Sequence, residues 1–420
     1  MIDLHEVSFT YGNGKRGIYD INLQIGQGEL VLLCGLSGCG KTTLTRVLTG
    51  LAPGEYEGQL RGRVTVGGVD ASQLHRSSAG EAFSPDNQKL QKEDTGSALL
   101  LRAVGAAETA EIVVLDEPSA NLDAAHIRAL QRAIFHWKQE GKTIIVAEHR
   151  IFYLAELCDR VVYMADGRIV WDMPGDTFRA FSQSDISRMG LRSKQLRGMK
   201  RRRRVLNLSP EELEAGVNDQ NIGIVVALVG ENGSGKSAFA RMLCGLDRED
   251  SRAVTLDGED LNPEQRAAVC HMVVQQVYSQ LYADTVLQEV MDGQPQADEA
   301  LALEILRRLD LLHCKDLHPS LLSTGERQRL AIASAMAEDR KFTVYDEPTN
   351  GLDFVHMKEF AALMDTMRAQ GKTQIVVTHD PELILTCCDY VLHMEHGELQ
   401  EGYPLDDEGT QRMLAYFLEE

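Results

Sequence analysis

The sequence predicts an α/β protein built as two tandem P-loop units, each a mainly parallel sheet with flanking helices and a small antiparallel β-subdomain. Three observations predict it. A buried strand, glycine loop, lysine and helix occur twice, at Gly35–Thr43 and at Gly230–Ser237. A strand ending in Asp-Glu-Pro also occurs twice, at Asp116 and at Asp346. The 420 residues exceed one ordinary domain and suit two of roughly 200.

Composition narrows the class. Hydrophobic residues make up 43% of the chain, ample for two buried cores. No apolar run approaches the roughly 18 residues of a spanning helix. The opening MIDLHEVSF carries two acids and no apolar h-region, which excludes a secretory signal there. Eight cysteines occur without CxxC pairs. Cys244, Cys270, Cys314 and Cys387 sit among apolar neighbours and read as reduced core thiols of a cytosolic protein, with zinc binding as the sharper alternative. A net charge of −20 argues against a chain-wide nucleic-acid surface. The exception is the basic run Arg188, Arg192, Lys194, Arg197, Lys200 and Arg201–Arg204. It reads first as a solvated interdomain linker, then as a contact for anionic lipid headgroups, and third as an RNA contact.

The first unit opens with Ile2–Ile25, which alternates apolar and polar residues around a turn at Tyr11–Gly14 and predicts a small antiparallel sheet. Tyr11 is expected as an exposed aromatic at its edge. Glu29–Cys34 reads as a buried strand feeding the glycine loop and a helix through Leu51. Backbone N–H groups of such a loop curl around phosphates, and the helix N-terminus adds positive potential. Gly35, Ser37, Gly38, Cys39, Gly40, Lys41, Thr42 and Thr43 are therefore candidate binding residues, with Lys41 reaching the β- and γ-phosphates and Thr42 holding Mg²⁺. Glu111–Leu115 is the partner strand. At its end Asp116 is placed to hold Mg²⁺, and Glu117 to polarise a water for in-line attack on the γ-phosphate. Thr143–Val146 ends at Glu148-His149, which brings an imidazole to the same edge. A helix from Ile151, a hairpin over Val161–Val170 around Asp166-Gly167, and a short helix close the unit.

Ile224–Val229 restarts the programme. It feeds Gly230, Asn232, Gly233, Ser234, Gly235, Lys236 and Ser237, with Ser237 as the second Mg²⁺ hydroxyl, and a helix to Leu246. A hairpin near Asp257-Gly258, the strand Met272–Gln275 and a helical region to about His313 follow. The turn Ser323, Thr324, Gly325 and Glu326 precedes a helix expected over Arg327–Ala337, so its N–H groups suit a γ-phosphate. Phe342–Tyr345 ends on Asp346 and Glu347, and Gln374–Thr378 on His379.

In order and identity these motifs resemble the ATP-binding-cassette (ABC) ATPase family across nearly the whole chain. That resemblance implies two tandem P-loop NTPase (ABC ATPase) domains, residues 1–187 and 206–420, joined by the basic linker 188–205. In the second copy it covers the P-loop, a Q-loop Gln275 that serves catalysis and Mg²⁺, the signature Leu322–Glu326, Asp346 and Glu347, the D-loop Asn350–Asp353, and the switch His379. The segment Gln280–Val286 is similar to ATPases of energy-coupling-factor and cobalt-type importers. Those transporters take up vitamins or Co²⁺/Ni²⁺ using a paired ATPase, a membrane coupling protein and a substrate-binding membrane protein. The resemblance implies ATP and Mg²⁺ as ligands, integral membrane subunits as partners, and a place on the cytoplasmic face of the cell membrane. It also implies cassettes packed head to tail, within one chain or with a second chain, each ATP lying between one P-loop and the opposing signature turn.

The copies are unequal. From P-loop lysine to Walker B aspartate the second takes 110 residues and the first 75, so a helical subdomain is largely missing from the first. The scar is expected at Ala82–Gln88, a Q-loop without its glutamine, and Asp94–Ser97, a worn signature whose serine position is acidic and repels a γ-phosphate. The second copy's front sheet, Arg204–Asn221, offers no aromatic equivalent to Tyr11. Site one thus pairs Tyr11, the first P-loop, Asp116, Glu117 and His149 with an intact signature and is expected to hydrolyse ATP. Site two is expected to bind it weakly or hold it. The competing readings are a soluble tandem cassette ATPase acting on ribosomes or nucleic acid, and a degenerate ATP-binding regulator.

Overall fold

The structure is a computed structural model that describes residues 1–70, 110–199, 223–247, 254–256, 259–274, 280–338, 340–349 and 352–419. The chain divides into two compact units, Met1–Gly198 with Gly351–Val355 and Met199–Asn350 with His356–Glu420.

The first unit begins with the antiparallel strands β1 (Ile2–Tyr11) and β2 (Arg16–Ile25), as their alternation requires. β3 (Leu30–Gly35), α1 (Lys41–Leu48) and the short α2 (Leu51–Gly54) follow. β4 (Gly58–Val66) and β5 (Val69–Asp70) complete a four-stranded sheet in the order β2-β1-β4-β5. After residues 71–109 come β6 (Ile112–Asp116), α3 (Ala124–Gln139), β7 (Thr143–Ala147), β8 (Arg160–Ala165), β9 (Arg168–Pro174), α4 (Gly175–Ala180) and α5 (Gln183–Arg188). The main sheet runs β6-β7-β3-β8-β9, parallel except for β9.

β3 sits at its centre because both its faces are apolar. Leu30, Leu32 and Cys34 join one core with Trp137 and Phe178, while Val31 and Leu33 join the other with Val47 and Phe9. Two expectations change here. α1 stops at Leu48, not Leu51, because Gly50 takes the left-handed conformation (φ 73°) that terminates helices. The helix expected from Ile151 is a single 3₁₀ turn, Ile151–Tyr153.

The second unit carries β10 (Val225–Val229), α6 (Lys236–Leu243), the ribbon β11 (Val254–Leu256) and β12 (Glu259–Leu261), α7 (Pro263–Val269) and β13 (Cys270–Val273). Three helices then pack on one another: α8 (Val286–Asp292), α9 (Glu299–Arg308) and α10 (Thr324–Ala337). β14 (Phe342–Asp346), α11 (Phe354–Ala369), β15 (Thr373–Val377), α12 (Pro381–Cys387), β16 (Tyr390–Glu395), β17 (Glu398–Pro404) and α13 (Asp407–Leu418) finish it. The sheet order β13-β14-β15-β10-β16-β17 is again parallel with one antiparallel edge strand. α10 begins three residues earlier than expected, because Ser323 caps it and Glu326 closes a capping box back onto the Ser323 N–H.

All eight cysteines are buried and none is in a disulfide, including the four read as core thiols. The solvated-linker reading fails for two residues of the basic run. Arg192 is buried, and Lys194 is buried with its ammonium donating to the carbonyls of Arg179 and Phe181. Lys200–Arg204 lie outside the described residues. Among the described residues no helix is long and apolar enough to cross a membrane.

Candidate functional site

The strand order β6-β7-β3 sets the geometry of the first site. It brings the ends of β6 (Asp116, then Glu117) and β7 (Ala147, then Glu148 and His149) to the carboxyl edge where β3 opens into the glycine loop. Gly35 turns that corner at φ 146°, where a Cβ would stand 2.2 Å from the Met164 carbonyl, so only glycine fits. The equivalent Gly230 (φ 151°) meets the Met394 carbonyl at the same 2.2 Å. Lys41 is buried, and its ammonium donates to the Gly35 and Leu36 carbonyls at 2.9 and 3.1 Å. Lys236 repeats this on Gly230 and Glu231 at 2.8 and 2.7 Å. Each loop is braced by the hairpin that closes its own sheet. The Gly167 N–H donates to the Cys39 carbonyl at 3.0 Å, and the Gly397 N–H to the Ser234 carbonyl at 2.9 Å. Ser37 and Gly38 are exposed, whereas Cys39 and Ser234 are buried beneath the loops. Gly40 and Gly235, both at positive φ, cap α1 and α6. Gly233 is exposed at the loop crest and Asn232 half-buried beside it.

Asp116 lies under α1. The Thr45 hydroxyl reaches its Oδ2 at 3.3 Å, Thr42 hydrogen-bonds the same carboxyl, and its buried Oδ1 has no hydrogen-bond partner among the described residues. Burial and the neighbouring Glu117 push Asp116 up to about 7, against the Thr42 bond and Lys41. Burial also pushes Glu117 upward, but the hydrogen bond and charge of His149, with Lys41 and Arg192, outweigh it and hold it at about 2. His149 Nε2 stands 3.3 Å from Glu117 Oε1. In the second unit His379 Nε2 stands 3.5 Å from Glu347 Oε1. Asp346 is raised by burial, opposed by a Ser237 hydrogen bond and Lys236. Both glutamates hold left-handed backbones, φ 48° at Glu117 and 50° at Glu347, a conformation uncommon outside glycine and concentrated at functional sites.

Tyr11 departs from its expected exposure. It is half-buried, edge-on to Phe9, with its hydroxyl 2.9 Å from the Thr43 hydroxyl and accepting from Arg46 at 3.3 Å. The phenol thus ties the antiparallel sheet to α1. Ser323 and Glu326 also face each other: Oε2 of Glu326 accepts from the Ser323 N–H at 2.8 Å and from its hydroxyl at 2.6 Å. Thr324 and Gly325 form the first turn of α10, and Gln328 on the same helix donates to the Glu347 and Pro348 carbonyls at 3.2 and 2.6 Å. Gln275, Ala82–Gln88, Asp94–Ser97 and Asn350 lie outside the described residues.

One element of the site was missed in the sequence. Glu148 is buried and accepts four hydrogen bonds: from the N–H groups of His149 (2.7 Å), Arg150 (3.1 Å) and Ser119 (3.2 Å), and from the Tyr153 hydroxyl (2.8 Å). It fixes the loop carrying His149 to the loop carrying Glu117. The second unit achieves this from the other side of its histidine, where Asp380 accepts from the Thr349 hydroxyl at 3.0 Å and from the Glu382 N–H at 3.2 Å. The signal available was an acid beside each histidine.

Comparison with known proteins shows the family and the fold. A family model described as ABC transporter matches residues 18–97 and 219–350. A putative ABC transporter ATP-binding protein of Treponema denticola is 34% identical over 95% of this chain and 96% of its own length. A second from that organism, 29% identical, aligns over 492 positions that take in all 420 residues here, so parts of the relative have no counterpart. A relative from Methanosarcina acetivorans is 27% identical over 95% of this chain and 85% of its own. Among solved structures, an archaeal ribosome recycling factor bound to a ribosomal stalk protein matches 99% of this chain and 92% of that one, with a TM-score of 0.65 and 20% identity, a likeness of fold.

Proposed function

Because this chain belongs to the ABC transporter family of ATP-hydrolysing proteins, we propose that it is the ATPase subunit of an importer of the energy-coupling-factor type, working on the cytoplasmic membrane face. One observation carries the reading. Between β13 and β14 the second unit keeps a helical subdomain whose surface presents Tyr282 (80% exposed), Leu317 (44%) and Leu321 (71%). Large apolar side chains this exposed suit an interaction surface if they act together. The Tyr282 loop is held rigid rather than left loose. Glu289 accepts from the Tyr282 and Ala283 N–H groups at 2.8 Å each, and the Val286 N–H donates to the Leu317 carbonyl at 2.9 Å. A cytosolic segment of a membrane coupling protein suits such a surface, and a substrate-binding membrane protein would complete the assembly.

Within that role the two ATP sites are unequal. Glu117 and His149 serve a hydrolytic site, and Glu347 and His379 a site that holds nucleotide. The Ser323–Glu326 turn supplies the γ-phosphate contact to the P-loop that faces it, in this chain or a second. Mg²⁺ fits the donors: the Asp116 carboxyl, whose Oδ1 has no hydrogen-bond partner among the described residues, lies beside Thr42 in one unit, and Asp346 beside Ser237 in the other. Thr42 and Asp116 would hold one ion, and Ser237 and Asp346 with Gln275 a second, each of which would neutralise phosphate charge when bound.

The test is capture of the tagged full chain from detergent-solubilised membranes. Integral membrane proteins should co-purify and be lost from Tyr282→Asp and Leu321→Asp chains that still bind ATP. Recovery of ribosomes instead, or capture unaffected by both substitutions, refutes the importer reading.

A further inference from the structure

We propose that His313, Cys314 and Glu326 form a binding site for a borderline divalent cation of the Zn²⁺ class, set against the Ser323 turn. His313 and Cys314 lie on the 3₁₀ turn Leu312–Cys314, and Glu326 is the third residue of α10. His313 Nε2 stands 3.2 Å from Glu326 Oε1, and the imidazole nitrogen, thiol sulfur and carboxylate oxygen all lie within 4.8 Å of one another. A tetrahedral Zn²⁺ with bonds of about 2.0–2.3 Å spaces its ligands roughly 3.3–3.8 Å apart. Closing the remainder falls to His313, whose exposed ring is the adaptable member of the three.

The donor set selects the ion. A thiol and an imidazole beside one carboxylate disfavour Mg²⁺ and Ca²⁺, which seek oxygen shells, and suit Zn²⁺ and its neighbours. Three protein ligands leave the fourth position to water. Glu326 Oε2 is fixed by the Ser323 hydroxyl and N–H, which orients the carboxylate, whereas the Cys314 S–H bond to the Leu311 carbonyl at 3.1 Å is given up when the thiol loses its proton. On binding, the sulfur–metal bond forms as the Cys314 thiol gives its proton to solvent, His313 enters as neutral imidazole, and no electrons move.

The site shares its carboxylate with the capping box. Charge drawn from Glu326 toward the metal weakens its hold on the Ser323 hydroxyl and N–H, so occupancy disorders the turn and slows ATP turnover. This consequence rests on the proposed γ-phosphate contact of that turn, whereas metal binding does not.

Two measurements on the purified full chain separate them. Titration with Co²⁺ should give a near-ultraviolet thiolate-to-cobalt band, displaced by Zn²⁺, that vanishes in Cys314→Ser. In His313→Ala, at an exposed position that leaves the fold intact, affinity should fall about tenfold or more. An undiminished band in Cys314→Ser, or unchanged affinity in His313→Ala, overturns the site. Zn²⁺ should inhibit ATPase in the native chain and not in His313→Ala, and equal inhibition of both overturns the link to the turn.

Discussion

The Glu117 carboxylate lies 3.3 Å from Nε2 of His149, and that pairing, rather than exposure to solvent, sets its charge. Burial alone would favour the neutral acid, yet the imidazole and nearby cations hold Glu117 ionised to about pH 2. A base that is charged throughout the physiological range and aimed by a second side chain can order an attacking water. The left-handed backbone at Glu117 is indifferent to a Glu-to-Gln change, so that substitution isolates the charge.

Glu117→Gln should therefore lower steady-state phosphate release by about 10²-fold or more, within the range for loss of a general base. Glu347→Gln should leave most of it. If phosphate release ceases only in the second variant, the two sites have been assigned in reverse.

Asp116 gives a dependence on pH of known sign. Its folded value, about 7, lies above its ordinary 3.8, so the native state holds a proton more tightly than the unfolded chain. Stability of the nucleotide-free protein should then fall as pH rises from about 4 to about 7 and level off above. Asp116→Asn removes the buried charge, and should raise the Tm at pH 8 by the equivalent of roughly 4 kcal/mol while leaving it nearly unchanged at pH 4. A Tm difference constant across that range contradicts the cause named here.

Ser323→Asp separates a structural from a functional role for the signature turn. Aspartate caps helices about as well as serine, but it replaces the hydroxyl that donates to Glu326 Oε2 with a second carboxylate, so the melting temperature should fall by a few degrees while the chain stays folded. A carboxylate in place of the hydroxyl repels a γ-phosphate, and ATPase activity should fall about tenfold or more. This substitution copies into the second unit the acidic character of Asp94 in the first. Full activity in Ser323→Asp would remove the argument that the first copy's turn is impaired.

Glu148 should matter through what it positions. In Glu148→Gln an amide replaces an oxygen that accepts from buried N–H groups, which should cost roughly 1–3 kcal/mol. Turnover should drop with little change in ATP affinity, since His149 shifts while the P-loop does not. Loss of stability with unaltered turnover would limit Glu148 to a structural part.

Much of this was legible in sequence because it is local. Strand, glycine loop and capped helix are consecutive in the chain, and period-two and apolar patterns reveal β3 and β10 without reference to partners. The limits of α1 and α10 were misjudged by a turn or less, since single residues, Gly50 and Ser323, decide them.

By itself the sequence determined two nucleotide-binding units, the order of their motifs and the shortening of the first, because each is written in adjacent residues and in spacing. Only the tertiary structure decided which side chains meet across it. The brace from Gly167 to the Cys39 carbonyl, the bond from the Ser119 N–H to Glu148, and the anchoring of Tyr11 by Thr43 join residues far apart in the chain. Such contacts follow from strand order and close packing, which bring distant segments to one sheet edge, and no local pattern records them.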